Sequence, residues 1–290
     1  MKKPHNLKTK IFLDGGDPDE TKNIISLLGF LDGQTTNPTL IAKSPDVMRQ
    51  LEKGKKFKEE QITALYRDIV TEISGIIPDG SVSVEVYADR CCTGAEAMLT
   101  QGREMFSWIP NAHVKYPTTT EGLVAAEQSI KEGMRANMTL CFTQEQAAAV
   151  YAATRGAGRG GVFVSPFVGR LDDIGENGMD LIENILRMYR AGDGHAEVLS
   201  ASVRNMNHFM RSLALGSDII TAPFSILKEW GEKGMPLPDA NFSYPSEKLR
   251  AIPYQDIDLS KKWETFSISH PLTDKGIERF SSDWNALIEQ

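Results

Sequence analysis

The feature that most constrains the fold of this chain is a regular alternation of short apolar segments with helical patterns. Eight segments carry the β-branched or apolar residues typical of strands, and each is followed by a stretch with apolar residues at helical spacing. The predicted strands are residues 10–15, 33–37, 81–87, 112–116, 136–142, 161–168, 197–203 and 218–221. Because such alternation builds a parallel sheet with helices outside it, eight units predict an α/β fold of the (β/α)8 TIM barrel type.

An open, doubly wound sheet is the alternative fold. It is disfavoured because the glycine-rich segment 156–161 (GAGRGG) precedes a strand, whereas a dinucleotide-binding loop lies between a strand and a helix. We interpret it as a flexible turn. The barrel is expected to occupy residues 1–230. Residues 231–290 form a C-terminal extension with prolines, scattered aromatic residues and a final helical pattern, expected to pack on the barrel or on a neighbouring subunit.

Composition excludes several function classes. The 32 Lys and Arg against 39 Asp and Glu give a net charge of -7, which argues against a nucleic-acid partner. No apolar run reaches the ~18–20 residues of a membrane span, and the basic N-terminus lacks the apolar stretch of a signal peptide. The three cysteines, Cys91, Cys92 and Cys141, fit neither a disulfide framework nor a zinc site. We therefore expect a cytoplasmic protein with reduced thiols, no metal and no membrane partner.

Polar residues interrupt the apolar pattern of the strands. Side chains in a barrel strand alternate between the interior and the helix layer, and active sites collect at the C-terminal strand ends. In the seventh strand this alternation predicts that Leu199, Ala201 and Val203 face the helices. The residues expected inside the barrel or at its strand ends are Asp14, Thr35, Thr36, Asn37, Ser83, Glu85, Lys115, Asn137, Thr139, Phe163, Ser165, Phe167, Arg170, Ser200, Ser202 and Arg204.

One lysine and two carboxylates are thus expected in one barrel mouth, where a buried charge is costly unless it is paired or used. An amine withdrawn from water can attack a carbonyl, and the resulting iminium accepts the electrons of a neighbouring C–C bond. Asp14 or Glu85 can move the protons. Arg170 and Arg204 follow strands six and seven, near the common phosphate region of barrels. The residues favour a Schiff-base lyase or transferase that acts on a phosphorylated carbonyl substrate without a metal or cofactor.

Eight segments resemble the transaldolase family, which also includes the fructose-6-phosphate aldolases. They follow one another in the family's order over nearly the whole chain, and TTNPTL and SPFVGR are the most specific of them. The segments are FLDGG at 12–16, TTNPTLIAKSP at 35–45, SVEV at 83–86, VKYPTTTEGLVAAEQSIKEG at 114–133, NMTLCFT at 137–143, SPFVGRLDD at 165–173, SASVRN at 200–205 and TAP at 221–223. The family's usual SFRN is SVRN here, and Tyr116 replaces a more typical aliphatic residue.

The resemblance implies a role for each matching residue. Lys115 would form the Schiff base with the C2 carbonyl of a ketose, and Asp14 would be the general acid and base at the C4 hydroxyl. Glu85 and Thr139 match residues that hold a proton-relaying water. The implied substrate-binding residues are Thr36, Asn37, Asn137, Ser165 and Phe167 around the sugar and Arg170, Ser202 and Arg204 at its phosphate.

Two positions choose between branches of the family. Glu85 and Phe167 resemble transaldolases, whereas the aldolases tend to have Gln and Tyr there. We therefore predict a transaldolase of the pentose phosphate pathway, and the resemblance implies that it is a homo-oligomer. It would transfer a dihydroxyacetone unit from fructose 6-phosphate or sedoheptulose 7-phosphate to an aldose phosphate. The alternatives are a fructose-6-phosphate aldolase-type lyase, a transaldolase for an unusual ketose and a catalytically silent binding barrel, which the intact Lys115, Asp14 and Glu85 disfavour.

Overall fold

Eight parallel strands close into a barrel in the computed structural model of the chain, which describes residues 2–239 and 241–289. Each strand pairs with the next one in sequence, and the last pairs with the first. The prediction of a (β/α)8 barrel is confirmed, and the open sheet is excluded. The strands are β1 (Lys10–Asp14), β2 (Gly33–Thr35), β3 (Ser81–Glu85), β4 (Ala112–Pro117), β5 (Ala136–Cys141), β6 (Val162–Pro166), β7 (Ala196–Ser200) and β8 (Ile219–Ala222).

Helices surround the barrel and many begin at a polar residue that follows a strand. The side chains of Asn37, Thr143 and Asn205 accept hydrogen bonds from backbone N–H groups of the first turn, which satisfies donors that a helix leaves free. The helices are α1 (Pro18–Leu28), α2 (Pro38–Ala42), α3 (Pro45–Glu52), α4 (Glu59–Ile76), α5 (Ala95–Trp108), α6 (Thr120–Lys131), α7 (Gln144–Ala153), α8 (Val168–Asp172), α9 (Gly178–Tyr189), α10 (Met206–Leu215), α11 (Phe224–Glu232) and α12 (Pro271–Asn285), with a 3-10 turn at Trp263–Thr265. None of the helices in the described part of the chain combines the length and apolarity needed to cross a bilayer.

Aromatic side chains fill the middle of the barrel. The rings of Phe12 and Phe163 meet edge to face with centroids 5.9 Å apart, and His113 stacks on Phe163 at 4.1 Å. A Cβ atom at Gly33 would lie 2.5 Å from the Phe12 ring, so only glycine fits beside it. The interior is therefore a packed core that separates the two ends of the barrel.

The seventh strand differs from its prediction. Leu199 and Ala201 face the interior and line the cavity at the C-terminal strand ends, whereas the hydroxyl of Ser200 donates to that of Ser217, in the connection between α10 and β8. The predictions that Ser200 points inward and that Leu199 and Ala201 point outward are wrong. The reason is that a barrel interior is itself apolar, so leucine fits either face and a serine can satisfy its hydroxyl outside. Ser202 adopts a left-handed conformation with φ 57°, which ends the strand's alternation.

The C-terminal extension lies against the barrel of its own chain. Helix α12 contacts α2 and β5, and the hydroxyl of Thr273 donates to the carbonyl of Leu140. Thr39 on α2 donates to Asp283 at 2.5 Å, and the backbone of Phe57 pairs with that near Ile288. These contacts bring one face of α12 to the C-terminal ends of the strands.

Candidate active site

Lys115 is the charged centre of the barrel mouth. Its side chain is only 5% exposed, and its Nζ atom lies 2.7 Å from a carboxylate oxygen of Glu85. The same nitrogen donates to the carbonyl of Thr36 at 2.9 Å. Strands β3 and β4 pair with Glu85 opposite Lys115, so the sheet register itself creates this ion pair. A buried lysine is thus held at a fixed position between two strand ends.

Two carboxyl groups flank this lysine, and burial raises the pKa of both. For Glu85, burial outweighs the opposing effects of Lys115 and Arg170 on its pKa. For Asp14, burial likewise outweighs Lys115 and a hydrogen bond from Thr35 at 2.7 Å in its effect on the pKa. Each carboxyl group can therefore take up a proton at a higher pH than an exposed one, which suits proton transfer.

A polar belt crosses the interior beside the lysine. The Asn137 amide donates to the Ser83 hydroxyl at 3.0 Å, and the Ser165 hydroxyl donates to the Asn137 oxygen at 2.6 Å. Asn137 is fully buried, so these bonds fix its orientation. Thr139 is also fully buried, but its hydroxyl has no hydrogen-bond partner among the described residues. A buried unpaired hydroxyl at this position is suited to bind a polar group of a substrate or a water.

Two arginines lie at the ends of β6 and β7. The guanidinium of Arg170 lies 5.1 Å from the ring centre of Phe167 and 5.4 Å from that of Phe280 on α12. Gly276 permits this packing, because a Cβ atom there would lie 2.6 Å from the guanidinium of Arg170. Arg204 pairs with Asp173 on the rim and is partly exposed. Two guanidinium groups on one side of the mouth are suited to a phosphate.

These groups surround one cavity of about 210 Å³. A cavity of this size and lining suits a small polar molecule rather than a polymer. Its walls combine the lysine, one carboxyl group, hydroxyl groups and both guanidinium groups. The lining residues are Asp14, Thr35, Asn37, Thr39, Leu40, Lys115, Thr139, Ser165, Phe167, Arg170, Leu199, Ala201, Ser202, Arg204, Thr221 and Phe280.

Comparison with known proteins agrees with this chemistry. Residues 11–290 match the profile of the family described as "Transaldolase/Fructose-6-phosphate aldolase". The chain belongs to this family. It is 37% identical over 277 residues to the "Probable transaldolase" of Roseiflexus sp., covering 96% of this chain and 97% of the relative. The proteins with the same name from Dehalococcoides mccartyi and Caulobacter vibrioides are 35% and 37% identical over 278 and 275 residues, covering 96% and 95% of this chain and 99% and 96% of theirs.

Most of the residues that the sequence analysis matched to functional residues of the transaldolase family lie together at this cavity. Nine of them line it directly, and they are Asp14, Asn37, Lys115, Thr139, Ser165, Phe167, Arg170, Ser202 and Arg204. Glu85 does not line the cavity, but its carboxylate contacts Lys115, which does. Asn137 lies buried and accepts a hydrogen bond from Ser165. Thr36 is different, because its side chain turns away and bonds to Tyr66 and to the carbonyl of Ser83. Only the backbone carbonyl of Thr36 reaches the lysine.

Several mouth residues were missed by the sequence analysis or given no role there. Thr35 donates to Asp14 and meets Thr221 at 2.6 Å, so it orients the carboxyl group. Thr35 and Thr221 lie at the C-terminal ends of β2 and β8, and this position in the sequence could have identified them as mouth residues. Phe280 and Leu199 also line the mouth. Phe280 had no local signal, since it comes from a helix of the C-terminal extension.

One further group of potential metal ligands lies outside the mouth. Within residues 2–239 and 241–289, ligand atoms of Asp89, Cys91 and Cys92 lie within 4.8 Å of one another on the loop after β3. Both thiols are exposed, and Cys141 is buried. The segment 156–161 precedes β6, at the end of the barrel opposite the mouth, where the carbonyl of Gly160 bonds to His113. Neither feature contributes to the candidate active site.

Proposed function

We propose that this protein is a transaldolase that moves a dihydroxyacetone unit from a ketose phosphate to an aldose phosphate through a Schiff base on Lys115. The observation that carries the proposal is the buried Lys115–Glu85 pair, 2.7 Å apart, in a mouth that also holds two arginines. Family membership supports the reaction class. Fructose 6-phosphate and sedoheptulose 7-phosphate are the proposed donors.

The first step needs a free amine. A proton that passes from Lys115 to Glu85 leaves a neutral amine and a neutral carboxylic acid, and burial favours this neutral form of Glu85. The amine then attacks the C2 carbonyl of the ketose, and loss of water gives the iminium. Glu85 returns the proton to the departing hydroxyl group. A single proton transfer thus converts the resting ion pair into a nucleophile, the amine of Lys115, and an acid, the carboxyl group of Glu85.

The second step breaks the C3–C4 bond. A base removes the proton of the C4 hydroxyl, the aldose phosphate leaves, and the electron pair of the broken bond neutralises the iminium to an enamine. Asp14 is the proposed base, because it lines the same cavity as Lys115 and is oriented by Thr35. Attack of the enamine on a second aldose phosphate reverses these steps and completes the transfer.

Binding is divided between the two sides of the mouth. Arg170, Ser202 and Arg204 are proposed to hold the phosphate, since charge-assisted hydrogen bonds from guanidinium groups suit its geometry. Asn37, Asn137, Ser165 and the unpaired hydroxyl of Thr139 are proposed to hold the hydroxyl groups of the dihydroxyacetone unit and a proton-relaying water.

Phe167 supports transfer over release. Its ring lines the cavity and carries no hydroxyl that could protonate the enamine and free dihydroxyacetone. The test is product formation from fructose 6-phosphate with and without erythrose 4-phosphate. We expect sedoheptulose 7-phosphate when the acceptor is present and little free dihydroxyacetone when it is absent. Steady release of dihydroxyacetone without an acceptor would establish the aldolase reaction instead. Inactivity with every ketose phosphate would contradict both.

The setting of this reaction is also part of the proposal. We infer a cytoplasmic enzyme of the pentose phosphate pathway that works as a homo-oligomer. Membership of a sugar-phosphate enzyme family supports this setting. Light scattering of the purified protein gives its mass in solution, to be compared with the 32.1 kDa of one chain. A mass near that of one chain would contradict the oligomer.

A further inference from the structure

Tyr66, on α4, lies directly behind the strand ends that hold the lysine. Its ring packs against Trp108 and Trp284 with centroid distances of 5.8 and 6.0 Å, and the residue is 1% exposed. Its hydroxyl accepts a hydrogen bond from the backbone N–H of Glu85 at 2.9 Å. The same hydroxyl lies 2.6 Å from that of Thr36. One phenol therefore joins the ends of β2 and β3.

The direction of these bonds follows from the proton count. The Thr36 hydroxyl donates its one proton to the carbonyl of Ser83 at 2.7 Å, so it can only accept from Tyr66. The phenol in turn accepts from Glu85 and donates to Thr36. Burial raises the pKa of Tyr66, so the phenol keeps the proton that it donates. The chain of bonds has one orientation, and every member is satisfied.

Both residues held by the phenol contact the lysine amine. The carbonyl of Thr36 accepts from Lys115 at 2.9 Å, and the carboxylate of Glu85 lies 2.7 Å from it. If β2 and β3 separated at this point, both partners of the amine would move. A displacement of about 1 Å in a catalytic group can cost on the order of 10²-fold in rate.

We propose that Tyr66 is a positioning residue for Lys115: its hydroxyl locks the Thr36 carbonyl and the Glu85 carboxylate at the distances that orient the amine. This inference rests on the proposed Schiff-base function. It assigns Thr36 to the same lock through its hydroxyl, which explains why that side chain points away from the cavity. Tyr66 itself does not line the mouth cavity, so it acts through these two residues.

The direct test is Tyr66→Phe, which removes one oxygen and keeps the aromatic packing. We expect kcat to fall about tenfold or more, because the amine is less well oriented. KM for the ketose phosphate is expected to stay within about twofold, since Arg170 and Arg204 lie on the β6 and β7 side. The matched control is Tyr189→Phe, a buried phenol that donates to the Ala147 carbonyl at 2.7 Å in the helix layer. Its kcat is expected to remain that of the wild type.

A pH profile separates positioning from a general loss of stability. The charged groups that face Glu85 are Lys115, Asp14 and Arg170, and Lys115 lowers the pKa of Glu85. A looser Lys115–Glu85 contact therefore raises the pKa of Glu85 further. We expect the acid limb of the kcat/KM profile, which reports the free enzyme, to move to higher pH in Tyr66→Phe and to stay in place in Tyr189→Phe.

Two measurements keep the test decisive. Thr36→Val breaks the same lock from the other side and should reproduce the lower kcat and the shifted limb, including when Tyr66→Phe does not fold. Borohydride trapping with fructose 6-phosphate then compares the rates of imine formation. If the wild type forms no adduct on Lys115, the proposed function fails. If folded Tyr66→Phe or Thr36→Val forms it at the wild-type rate with an unchanged profile, only the positioning role is overturned.

Discussion

Each end of the barrel interior carries a lysine–glutamate ion pair, but the two pairs differ in their exposure to water and in their role. At the N-terminal end, Lys10 contacts both oxygens of Glu197 at 2.8 and 3.1 Å, and its side chain is 41% exposed. At the mouth, Lys115 lies 2.7 Å from one oxygen of Glu85, and both side chains are 5% exposed. The Glu197 carboxylate is 10% exposed, but its lysine reaches water, so the first pair keeps part of its hydration. The second pair has been taken out of water, which is costly unless it has a use.

The remaining polar groups show the same contrast. At the N-terminal end, the buried His113 bonds through both ring nitrogens, to Ser81 and to the carbonyl of Gly160. At the mouth, the buried hydroxyl of Thr139 has no partner within the described residues. The cavity at the N-terminal end is the larger, about 620 Å³ against about 210 Å³. Unused hydrogen-bonding capacity and desolvated charge, rather than cavity size, therefore identify the functional end.

The largest expected difference between the two ends is in their lysines. Lys115→Ala should lower kcat by about 10³-fold or more, because Lys115 is the one lysine among the described residues that line the cavity. Lys10→Ala should keep nearly full activity, because the ion pair that it loses lies at the end of the barrel away from the mouth. Steady-state rates with fructose 6-phosphate and erythrose 4-phosphate measure both variants. Substantial turnover by Lys115→Ala would show that Lys115 is no more important for the reaction than Lys10.

The carboxylates provide the next contrast. Glu85→Gln should reduce kcat by about 10²- to 10³-fold, since the amide cannot take the proton of the lysine or return it to the leaving hydroxyl. Glu197→Gln is the matched change at the N-terminal end and should leave kcat unchanged. The acid limb of the wild-type profile should lie above the usual titration range of a glutamate, because burial raises the pKa of Glu85. Equal rates in the two variants would show that the mouth carboxylate is not used.

The arginines test the binding side of the mouth. Arg204→Ala should raise KM for phosphorylated donors by about 10- to 100-fold, the effect of losing a charge-assisted hydrogen bond. Arg135→Ala is the control at the other end, where Arg135 donates to the backbone carbonyls of Pro110 and Ala112. It should leave KM unchanged. An effect of Arg204→Ala on kcat alone would count against phosphate binding by that residue.

The smallest effect on activity is expected from His113, which should influence stability only. Burial lowers the pKa of His113 to about 3, so the unfolded chain binds a proton near pH 6.5 that the folded chain does not. Stability is then lost as pH falls below that value, by about 2 kcal/mol between pH 8 and pH 5. Urea unfolding of His113→Gln should lack this part of the pH dependence, whereas a change at the exposed His5 should not alter it. An unchanged pH dependence in His113→Gln would contradict the assigned role.

Much of this organisation could be predicted from the sequence, because it depends on period and order. Eight apolar segments with helical stretches between them predict the closed barrel, and the alternation in β3 and β4 predicts that Glu85 and Lys115 both point inward. Their contact depends on the register of the two strands, which the structure shows. The predictions failed where alternation carried no preference, as at Leu199 and Ser200 in β7. They also missed contacts between distant segments. Phe280 packs on Arg170 only because α12 returns to the mouth.

The orientation of Thr36 illustrates the same limit within one motif. Its neighbours in the sequence, Thr35 and Asn37, line the cavity, and its own side chain turns toward Tyr66. A short motif shows which residues occur together, but not which way each one points. The direction of the Thr36 side chain depends on its hydrogen bond to Tyr66, which lies on α4, thirty residues further along the chain.

The most direct test of the account is to reduce the wild-type protein with borohydride in the presence of fructose 6-phosphate and to map the modified peptide by mass spectrometry. The account predicts one dihydroxyacetone-sized adduct, on Lys115, and none on Lys10. No adduct with any ketose phosphate, or an adduct on a lysine outside the mouth, would contradict it.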